Sequence, residues 1–360
     1  MPRFSGQYFA RQRIPVPIRV SLRPQFSRFR QGFQPGMPGS NKSALICGSV
    51  AYDTIMVFPD RFKAHILPDK LHMLNVAFLV PQMRREFGGC AGNIAYNLKL
   101  LGDLGYPMGG IGSDFAPYRE WMQKVGVSEK YLVTIPEEHC AQAFITTDLD
   151  ANQITAFHPG AMNLSWKIKV PPNDGISIGV VAPDSRQGML EHAEQFKAAG
   201  IPFIFDPGQA MPLFAGEDFK RFISIADWLA LNDYEWHLLQ ERTGWTAANC
   251  LEHVKALIIT RGGEGSEIHV KGKVHQIPCA KAREVVDPTG CGDAYRAGLI
   301  HGILRGLDWE TTGRIASLMG AIKISVRGTQ NHSFTLPEFA QLYADSFGQP
   351  YSSLKSGSAN

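Results

Sequence analysis

Long hydrophobic runs are missing from this sequence of 360 residues. The longest apolar stretches, such as LICGSVA at 45–51 and ALIIT at 256–260, are far shorter than the roughly 18 to 20 residues that a membrane-spanning helix needs. We therefore expect a soluble protein without a membrane partner. Because 44% of the residues are nevertheless hydrophobic, the chain can bury a large core as one α/β domain, with or without a small appendage.

Cysteine motifs with metal-ligand or redox spacing are also missing. The six cysteines lie far apart, and none belongs to a CxxC motif or to a Cys/His cluster. Dispersed cysteines favour free thiols in a reducing compartment, and they predict no structural zinc site. We accordingly expect a cytoplasmic protein.

Acidic residues are missing from the first 40 positions, which contain seven arginines and no lysine. Subtracting these seven from the 36 Lys and Arg residues leaves 29 basic against 33 acidic side chains in the remainder. Prolines, glycines and the lack of periodicity predict a disordered extension over residues 1–42. Its composition is also typical of a transit peptide, so an organelle is the alternative location. No basic face is visible in the rest of the sequence, so we expect no nucleic-acid partner.

From residue 43 onward, strand-like runs alternate with helical patterns. The strand-like runs are SALICGSVAYD (43–53), ISIGVVAP (176–183), PFIFDPG (202–208), DWLALN (227–232) and ALIITRGG (256–263). Such alternation predicts a parallel sheet covered by helices on both faces, with ligands bound beyond the carboxyl ends of the strands. We expect this domain to span residues 43–345 and to be followed by a flexible tail over 346–360.

Two segments, 63–87 and 140–158, interrupt the alternation with extended patterns. The second segment is a candidate hairpin that turns at Asp150-Ala151-Asn152. We predict that the two segments form a small β-sheet beside the main domain, where the sheet would act as a lid.

The stretch DPTGCGDAYRAG at 287–298 is the strongest candidate for chemistry. A strand-like segment at 282–287 precedes it and an apolar helical stripe follows, so the glycines lie where a helix begins. The first N–H groups of a helix attract anions, and glycine lets a phosphate approach the backbone. Asp293, beside this anion site, suits a general base that removes a hydroxyl proton during phosphoryl transfer. The alternative is that Asp293 is only a helix N-cap.

Other polar residues follow predicted strands. Asp53 follows the first strand, and Gly89 and Asn93 belong to GGCAGN, which opens a helix with small residues. Asn232 and Glu235 are one helical turn apart, so they can share a hydrated magnesium ion or form a capping box. A further strand ends in glycines suited either to nucleotide contact or to a plain hairpin turn, in the segment Thr260, Arg261, Gly262 and Gly263.

Two common nucleotide-binding motifs are missing. The Walker A sequence GxxxxGK[ST] does not occur, and no GxGxxG opens the first strand-helix unit. The sequence therefore gives no support to a P-loop NTPase or to an oxidoreductase with a dinucleotide cofactor.

Two long stretches resemble the signatures of the PfkB/ribokinase family of small-molecule kinases. DPTGCGDAYRAGLIHGIL resembles the C-terminal signature and FGGCAGNIAYNLKLLG the N-terminal one, and the similarity runs in order from about residue 44 to 340. GGCAGNIAYNL and FHPGAM (157–162) are most similar to the bacterial and archaeal adenosine or nucleoside kinases. The resemblance implies a ribokinase-like three-layer α/β/α sandwich with a mainly parallel central sheet and a small β-sheet lid.

The resemblance also implies transfer of the γ-phosphoryl group of ATP to a primary hydroxyl. In this scheme Asp293 is the base, and the hydroxyls of a ribose are held by Asp53, Gly89 and Asn93. The anion hole is the backbone of Gly290, Cys291 and Gly292. Phe157 would stack on a nucleobase or, alternatively, belong to the core of the lid.

On the cofactor side, the resemblance implies ATP, Mg²⁺ and a monovalent cation such as K⁺. Asn232 and Glu235 would organise magnesium and phosphate, with Glu235 acting through water, and the segment 260–263 would line the ATP site. The monovalent cation would lie beside Asp287, Thr289 and the segment 328–333. Cys291 occupies a position where the family more often has alanine, and its place at a helix N-terminus predicts a lowered thiol pKa.

The leading interpretation is an ATP-dependent adenosine or broader nucleoside kinase, working as a monomer or as a homodimer. The nearest rival is a kinase for ribose, fructose or a sugar phosphate. A phosphate-bearing substrate would need extra cations, for which Arg84, Arg85 and Arg186 are candidates unless they are merely solvated. A non-catalytic ligand-binding regulator is a more distant alternative, because loss of activity commonly removes the aspartate that is present here as Asp293.

Overall fold

The computed structural model describes residues 42–66, 75–150 and 152–351, all of which belong to one compact unit. The predicted extension lies outside the described residues except for Lys42, as do residues 352–360 of the predicted tail. In the described part of the chain the strands are β1 Ser43–Cys47, β2 Ala51–Val57, β3 Gln82–Gly88, β4 Leu104–Ile111, β5 Tyr131–Thr134, β6 Ala141–Thr147, β7 Gln153–His158, β8 Ile176–Val181, β9 Phe203–Phe205, β10 Trp228–Asn232, β11 Ala256–Thr260, β12 Ser266–Val270 and β13 Lys273–Ile277. The α-helices are α1 Phe62–His65, α2 Cys90–Leu100, α3 Ala116–Val125, α4 Arg186–Ala198, α5 Gly216–Ile225, α6 Asp233–Thr243, α7 Ala247–Leu251, α8 Cys291–Arg305, α9 Trp309–Ile324 and α10 Leu336–Phe347.

The larger sheet is mainly parallel, as predicted. Its strand order is β13-β12-β11-β10-β9-β8-β1-β4-β5. The pairs from β5 to β11 are all parallel, and only β12 and β13 at one edge run antiparallel to their neighbours. The carboxyl ends of β1, β8, β9, β10 and β11 therefore meet along one edge of this sheet, where a parallel α/β sheet binds its ligands.

Side-chain alternation in the central strands explains the layers on either side of this sheet. In β1, Ala44 and Ile46 face a cluster that includes residues of α2, α3, α8 and α9. Leu45 and Cys47 face the opposite cluster, to which α4, α5, α6 and α7 contribute. Because successive strand residues point to opposite faces, a fully apolar strand requires helices on both sides. The predicted α/β/α sandwich is confirmed.

The second sheet has the order β3-β2-β6-β7. The predicted hairpin at 140–158 is confirmed as the antiparallel pair β6 and β7. The extended pattern predicted over 63–87 is only partly right, because it begins in the short helix α1 and reaches strand geometry only in β3. Residues 67–74 of that segment lie outside the described residues.

Three further predictions about local structure need correction. Asp53 does not follow the first strand: β1 ends at Cys47, and Asp53 lies inside β2 of the second sheet. Residues 282–287 form no strand. The side chain of Val285 is 78% exposed, so the apolar residues Val285 and Val286 do not pack into a sheet. The domain also continues past residue 345, because α10 ends at Phe347 and the ring of Tyr351 packs against Phe339 and Tyr343.

Within the described ranges, no helix combines the length and the apolar character needed to cross a bilayer.

Candidate active site

The N-terminus of α8 has the backbone geometry of an anion cradle. Gly290 caps the helix in the left-handed region with φ of +79°, which favours glycine, and a Cβ there would lie 3.0 Å from the side chain of Thr329. A Cβ at Gly292, by contrast, would meet no described atom within 4 Å. The space in front of the first turn is therefore open to a ligand.

One member of the predicted anion hole is already engaged. The amide of Cys291 donates a hydrogen bond to the carbonyl of Pro288 at 3.1 Å. An anion would therefore bind through the amides of Gly290 and Gly292, or it would displace this turn hydrogen bond. The predicted low pKa of the Cys291 thiol is wrong, because burial raises that pKa to about 11 despite the nearby positive charge of Lys323.

The contrast between the two glycines gives a first prediction. Gly292→Ala should leave the melting temperature unchanged or slightly higher, since alanine favours a helix and meets open space. Its methyl group would occupy the approach to the anion, and a misplaced phosphate costs roughly 10²-fold in rate. Thermal unfolding and steady-state kinetics with ATP check this. A Gly292→Ala enzyme with full activity would show that no phosphate approaches the backbone here, and Gly290→Ala, which should lose stability, is the matched control.

Asp293 is the third residue of α8 and does not act as its N-cap. The cap is Gly290, which has no side chain, and the Asp293 carboxylate instead accepts a hydrogen bond at 2.8 Å from the amide nitrogen of Asn93 in α2. The side chain is half-buried. Burial, and then the negative charge of Asp206, raise the pKa of Asp293 to about 7. A carboxyl group with this pKa is suited to accept a proton at neutral pH.

Asp206 and Arg296 complete the surroundings of the candidate base, and sequence reasoning missed both. Asp206 directly follows β9, and Arg296 lies on α8 one turn after Asp293. The Arg296 guanidinium donates to both carboxylate oxygens of Asp206, at 3.0 Å each, and both side chains are buried. The signals available were an aspartate at a predicted strand end and an arginine within an otherwise apolar helix stripe.

The raised pKa of Asp293 predicts the pH dependence of the reaction. A base must be deprotonated, so kcat/KM should rise with pH through about 7 and level off above it. Asp206→Asn removes a negative charge that raises this pKa, so the midpoint should move to lower pH. Initial rates from pH 5.5 to 9 with both proteins check this. A midpoint that does not move would assign the titration to ATP or to another group.

The residues predicted to hold the sugar lie in β2 and at the start of α2. Burial, followed by the charges of Glu86 and Asp287, raises the pKa of Asp53 to about 6. A Cβ at Gly88 would collide with the Asp53 carboxylate, so that glycine makes room for the acid. Asn93 is buried. Its side-chain oxygen Oδ1 accepts a hydrogen bond from the side-chain amide of Gln330 at 3.0 Å. Gln330 thus orients Asn93, a contact that sequence reasoning did not anticipate.

Gly89 has a backbone reason for its identity. It is the N-cap of α2 with φ of +85°, and a Cβ there would lie 2.5 Å from the carbonyl oxygen of Ser49 and 2.6 Å from the amide of Ala51. The first turn of α2 is also occupied, since Ser49 accepts hydrogen bonds from Cys90 and Ala91. Gly89 therefore serves the close crossing of two backbones, and its contact with a ribose stays a prediction.

Phe157 lies on the same face of the second sheet as Asp53. Asp53 pairs with Ala143, and Ala143 pairs with Phe157, so the three side chains share one row and one face. The Phe157 ring is 48% exposed, and its assignment to the lid core is therefore wrong. Two strand spacings, or roughly 10 Å, separate it from Asp53, which is a suitable span for a ring that stacks on a base.

Each arginine proposed for a phosphate-bearing substrate lies beside a carboxylate or an aromatic ring of the protein. The Arg84 Nε lies 3.2 Å from the carboxylate of Glu86, and Arg85 lies over the ring of Tyr52. Arg186 donates to both oxygens of Asp218. Arg186 is thus engaged by a carboxylate, whereas the Nε of Arg84 has no hydrogen-bond partner among the described residues.

The predicted ATP side lies at the adjacent ends of β10 and β11, where Asn232 pairs in register with Thr260. Asn232 and Glu235 form a capping box, with hydrogen bonds of 2.7 and 2.8 Å. Burial, and then the charge of Asp206, raise the pKa of Glu235. Glu235 is a half-buried carboxylate, and a hydrated Mg²⁺ ion is usually held by one or two carboxylates together with substrate phosphates. Over the described residues, no cluster of three or more His, Cys, Asp or Glu side chains forms a metal site.

The glycines after β11 are open to a ligand. Gly262 adopts φ of +51° at the start of a short 3₁₀ segment, and a Cβ on either Gly262 or Gly263 would meet no described atom within 4 Å. The Arg261 guanidinium is paired with Glu267 at 2.8 Å. The contact of the segment 260–263 with ATP stays a prediction.

The residues predicted to bind a monovalent cation form hydrogen bonds with each other. The Asp287 carboxylate accepts hydrogen bonds from the amides of Thr289 and Gly328, at 2.9 Å each. The Asp287 carbonyl accepts a hydrogen bond from the ammonium group of Lys323 at 2.8 Å.

Comparison with known proteins finds nucleoside kinases among the proteins that this chain is similar to. The chain is 34% identical over 261 residues to a nucleoside kinase of Methanocaldococcus jannaschii, with 72% of this chain and 85% of that protein covered. The structure of the M. jannaschii enzyme, described as an archaeal member of the ribokinase family, matches with a TM-score of 0.77 at 29% identity over 84% of this chain and 98% of that one. The nucleoside kinase of Burkholderia thailandensis in complex with ADP-inosine matches with a TM-score of 0.76 at 51% identity, over 85% of this chain and 97% of that one.

The fold is thus ribokinase-like, as the two signatures implied. A family model described as pfkB family carbohydrate kinase matches residues 49–336, which is most of the chain. The chain therefore belongs to the pfkB family of carbohydrate kinases.

Proposed function

We propose that this chain is an ATP-dependent nucleoside kinase that phosphorylates the 5′-hydroxyl of a nucleoside, with adenosine and inosine as its first candidates. The named relatives support the class of substrate, since both matched enzymes are nucleoside kinases. The complex of the Burkholderia enzyme contains ADP-inosine, which adds inosine to the adenosine that the sequence motifs favour.

The observation that carries this proposal is the hydrogen bond between Asn93 and Asp293. It joins the start of α2, beside the sugar-side residue Asp53, to the first turn of α8, where the anion would bind. A hydroxyl group held at this junction would be within reach of both a base and a phosphoryl group. Such an arrangement replaces a bimolecular encounter by a positioned one, which is a large source of rate enhancement.

In the proposed mechanism Asp293 accepts the proton of the attacking hydroxyl. The amides at the N-terminus of α8 stabilise the negative charge of the transferring phosphoryl group. Bound Mg²⁺ would neutralise phosphate charge near Glu235. Asp53, in its ionised form, would accept hydrogen bonds from the two ribose hydroxyls and so orient the sugar.

The face of the second sheet supports a nucleoside over a simple sugar. Asp53 and Phe157 share this face, so that a ribose at one and a base at the other would match the two parts of a nucleoside. The exposed ring of Phe157 is available for stacking. The hydrogen bonds of Arg186 to both oxygens of Asp218 argue against its use for a sugar phosphate.

An ADP-release screen tests the proposal, with adenosine, inosine, guanosine, cytidine, ribose and fructose as acceptors and mass spectrometry of the products. We expect the purine nucleosides to exceed ribose and fructose in kcat/KM by at least roughly tenfold. Activity with fructose or ribose alone would assign the chain to the sugar kinases. ADP release without a phosphorylated acceptor would refute both readings.

A further inference from the structure

Lys323 is a fully buried lysine in the last turn of α9. The side chain is 0% exposed, and the ammonium group donates hydrogen bonds to two backbone carbonyls, those of Asp287 at 2.8 Å and Val326 at 3.0 Å. Lysine is almost never fully buried unless it is paired. The hydrogen-bond partners seen here are carbonyl oxygens, which are also the ligands that proteins use to replace the hydration shell of a monovalent cation.

The contacts of Lys323 place its charge directly behind the anion cradle. Asp287 begins the DPTGCGD loop, and the amides of Val286 and Asp287 donate to the carbonyl of Ile324 at 2.9 and 3.0 Å. The Asp287 carboxylate accepts from the amide of Gly328. Hydrogen bonds therefore fix the loop to the end of α9 on both sides of the ammonium group.

Burial lowers the pKa of Lys323, and the negative charges of Asp287 and Glu86 act against this shift. The ammonium group is held in place by its two hydrogen bonds to backbone carbonyls. In turn the positive charge of Lys323 acts to lower the pKa of Cys291. Because Cys291 is the first residue of α8, this charge is felt at the helix terminus where phosphate would bind.

We propose that the Lys323 ammonium takes the place of the monovalent cation that the family resemblance implied, as a tethered cation that positions and charges the anion loop. K⁺ does not fit this site, because the carbonyls of Asp287 and Val326 already hold the ammonium group. The inference rests on the phosphoryl transfer proposed above. It makes Lys323 a positioning residue for the reaction, and the enzyme independent of added K⁺.

The first test compares the wild-type enzyme in KCl, NaCl and tetramethylammonium chloride at equal ionic strength. We expect rates that agree within roughly twofold, since the charge at the loop is covalently supplied. Activation by K⁺ of fivefold or more over tetramethylammonium would overturn the proposal while leaving the kinase function intact. Absence of phosphoryl transfer in every salt would instead refute the proposed function.

The second test removes the ammonium group. In Lys323→Ala we expect kcat to fall by roughly tenfold or more in tetramethylammonium chloride, with recovery on addition of KCl or ammonium chloride, because the freed carbonyls can bind a small cation. Lys323→Met fills the space without charge and should stay slow in every salt. A purely structural role would give no cation-specific recovery.

Lys197→Ala is the matched control, because Lys197 is an exposed lysine at the same place in the last turn of α4. It should behave as wild type in each salt. A Lys323→Ala enzyme with wild-type turnover in tetramethylammonium chloride would contradict the proposal. If both Lys323 variants fail to fold, the salt comparison on the wild-type enzyme still decides.

Discussion

In Asp293→Asn we expect turnover to fall by roughly 10² to 10⁴, the range for loss of a general base. The amide cannot take up the hydroxyl proton, yet it keeps an oxygen that can accept the hydrogen bond from Asn93. The nucleoside should therefore still bind, and kcat should fall far more than KM changes. Steady-state and single-turnover kinetics with adenosine or inosine measure this effect.

Stability provides the control for this variant. Since the pKa of Asp293 is raised to about 7 in the folded state, the folded protein binds more protons than the unfolded chain between the ordinary carboxyl pKa and about 7. Ionisation of Asp293 therefore lowers the free energy of unfolding as pH rises through this window. At pH 8 Asp293→Asn should be at least as stable as the wild type. Near-normal turnover in a folded Asp293→Asn enzyme would remove Asp293 from the role of base.

Arg296→Met should lower the free energy of unfolding by about 3 to 5 kcal/mol, because it leaves the buried carboxylate of Asp206 without its partner. The positive charge of Arg296 also acts to lower the pKa of Asp293. Its loss should move the midpoint of the pH profile to higher pH. Urea unfolding measures the first effect, and kcat/KM against pH measures the second.

Arg221→Met is the matched control for the buried pair. Arg221 and Glu194 form an ion pair of 2.8 Å on the surface, with side chains 59% and 43% exposed. Exposed pairs contribute about 0 to 1 kcal/mol, so this variant should unfold almost as the wild type does and keep its pH profile. Equal losses of stability in the two variants would show that the buried Asp206–Arg296 pair contributes no more to the free energy of unfolding than an exposed pair does.

The parts of the fold that depend on local patterns could be predicted from the sequence. The apolar run in β11 and the glycine-rich start of α8 are local signals, since strand burial and helix initiation act over a few residues. The same holds for the hairpin of β6 and β7. The proximity of Asn93 and Asp293 was expected only from the family resemblance, because their hydrogen bond joins residues 200 positions apart.

Other features were out of reach for physical reasons. The apolar Val285 and Val286 read as a strand, but no neighbouring strand accepts them, and periodicity alone cannot reveal a missing partner. The Asp206–Arg296 pair joins residues 90 positions apart, and no local pattern around either residue indicates the other as its partner. One of the two hydrogen bonds of Lys323 likewise links α9 to a loop carbonyl 36 residues earlier.

The central claim is that one acid and one helix terminus meet at a substrate hydroxyl, and a crystal structure with a nucleoside and a non-hydrolysable ATP analogue tests it most directly. We predict that the 5′-hydroxyl lies about 2.6 to 3.2 Å from the Asp293 carboxylate, with the γ-phosphate against the amides at 290–292. A nucleoside bound away from Asp293, or a γ-phosphate that does not contact the start of α8, would contradict it.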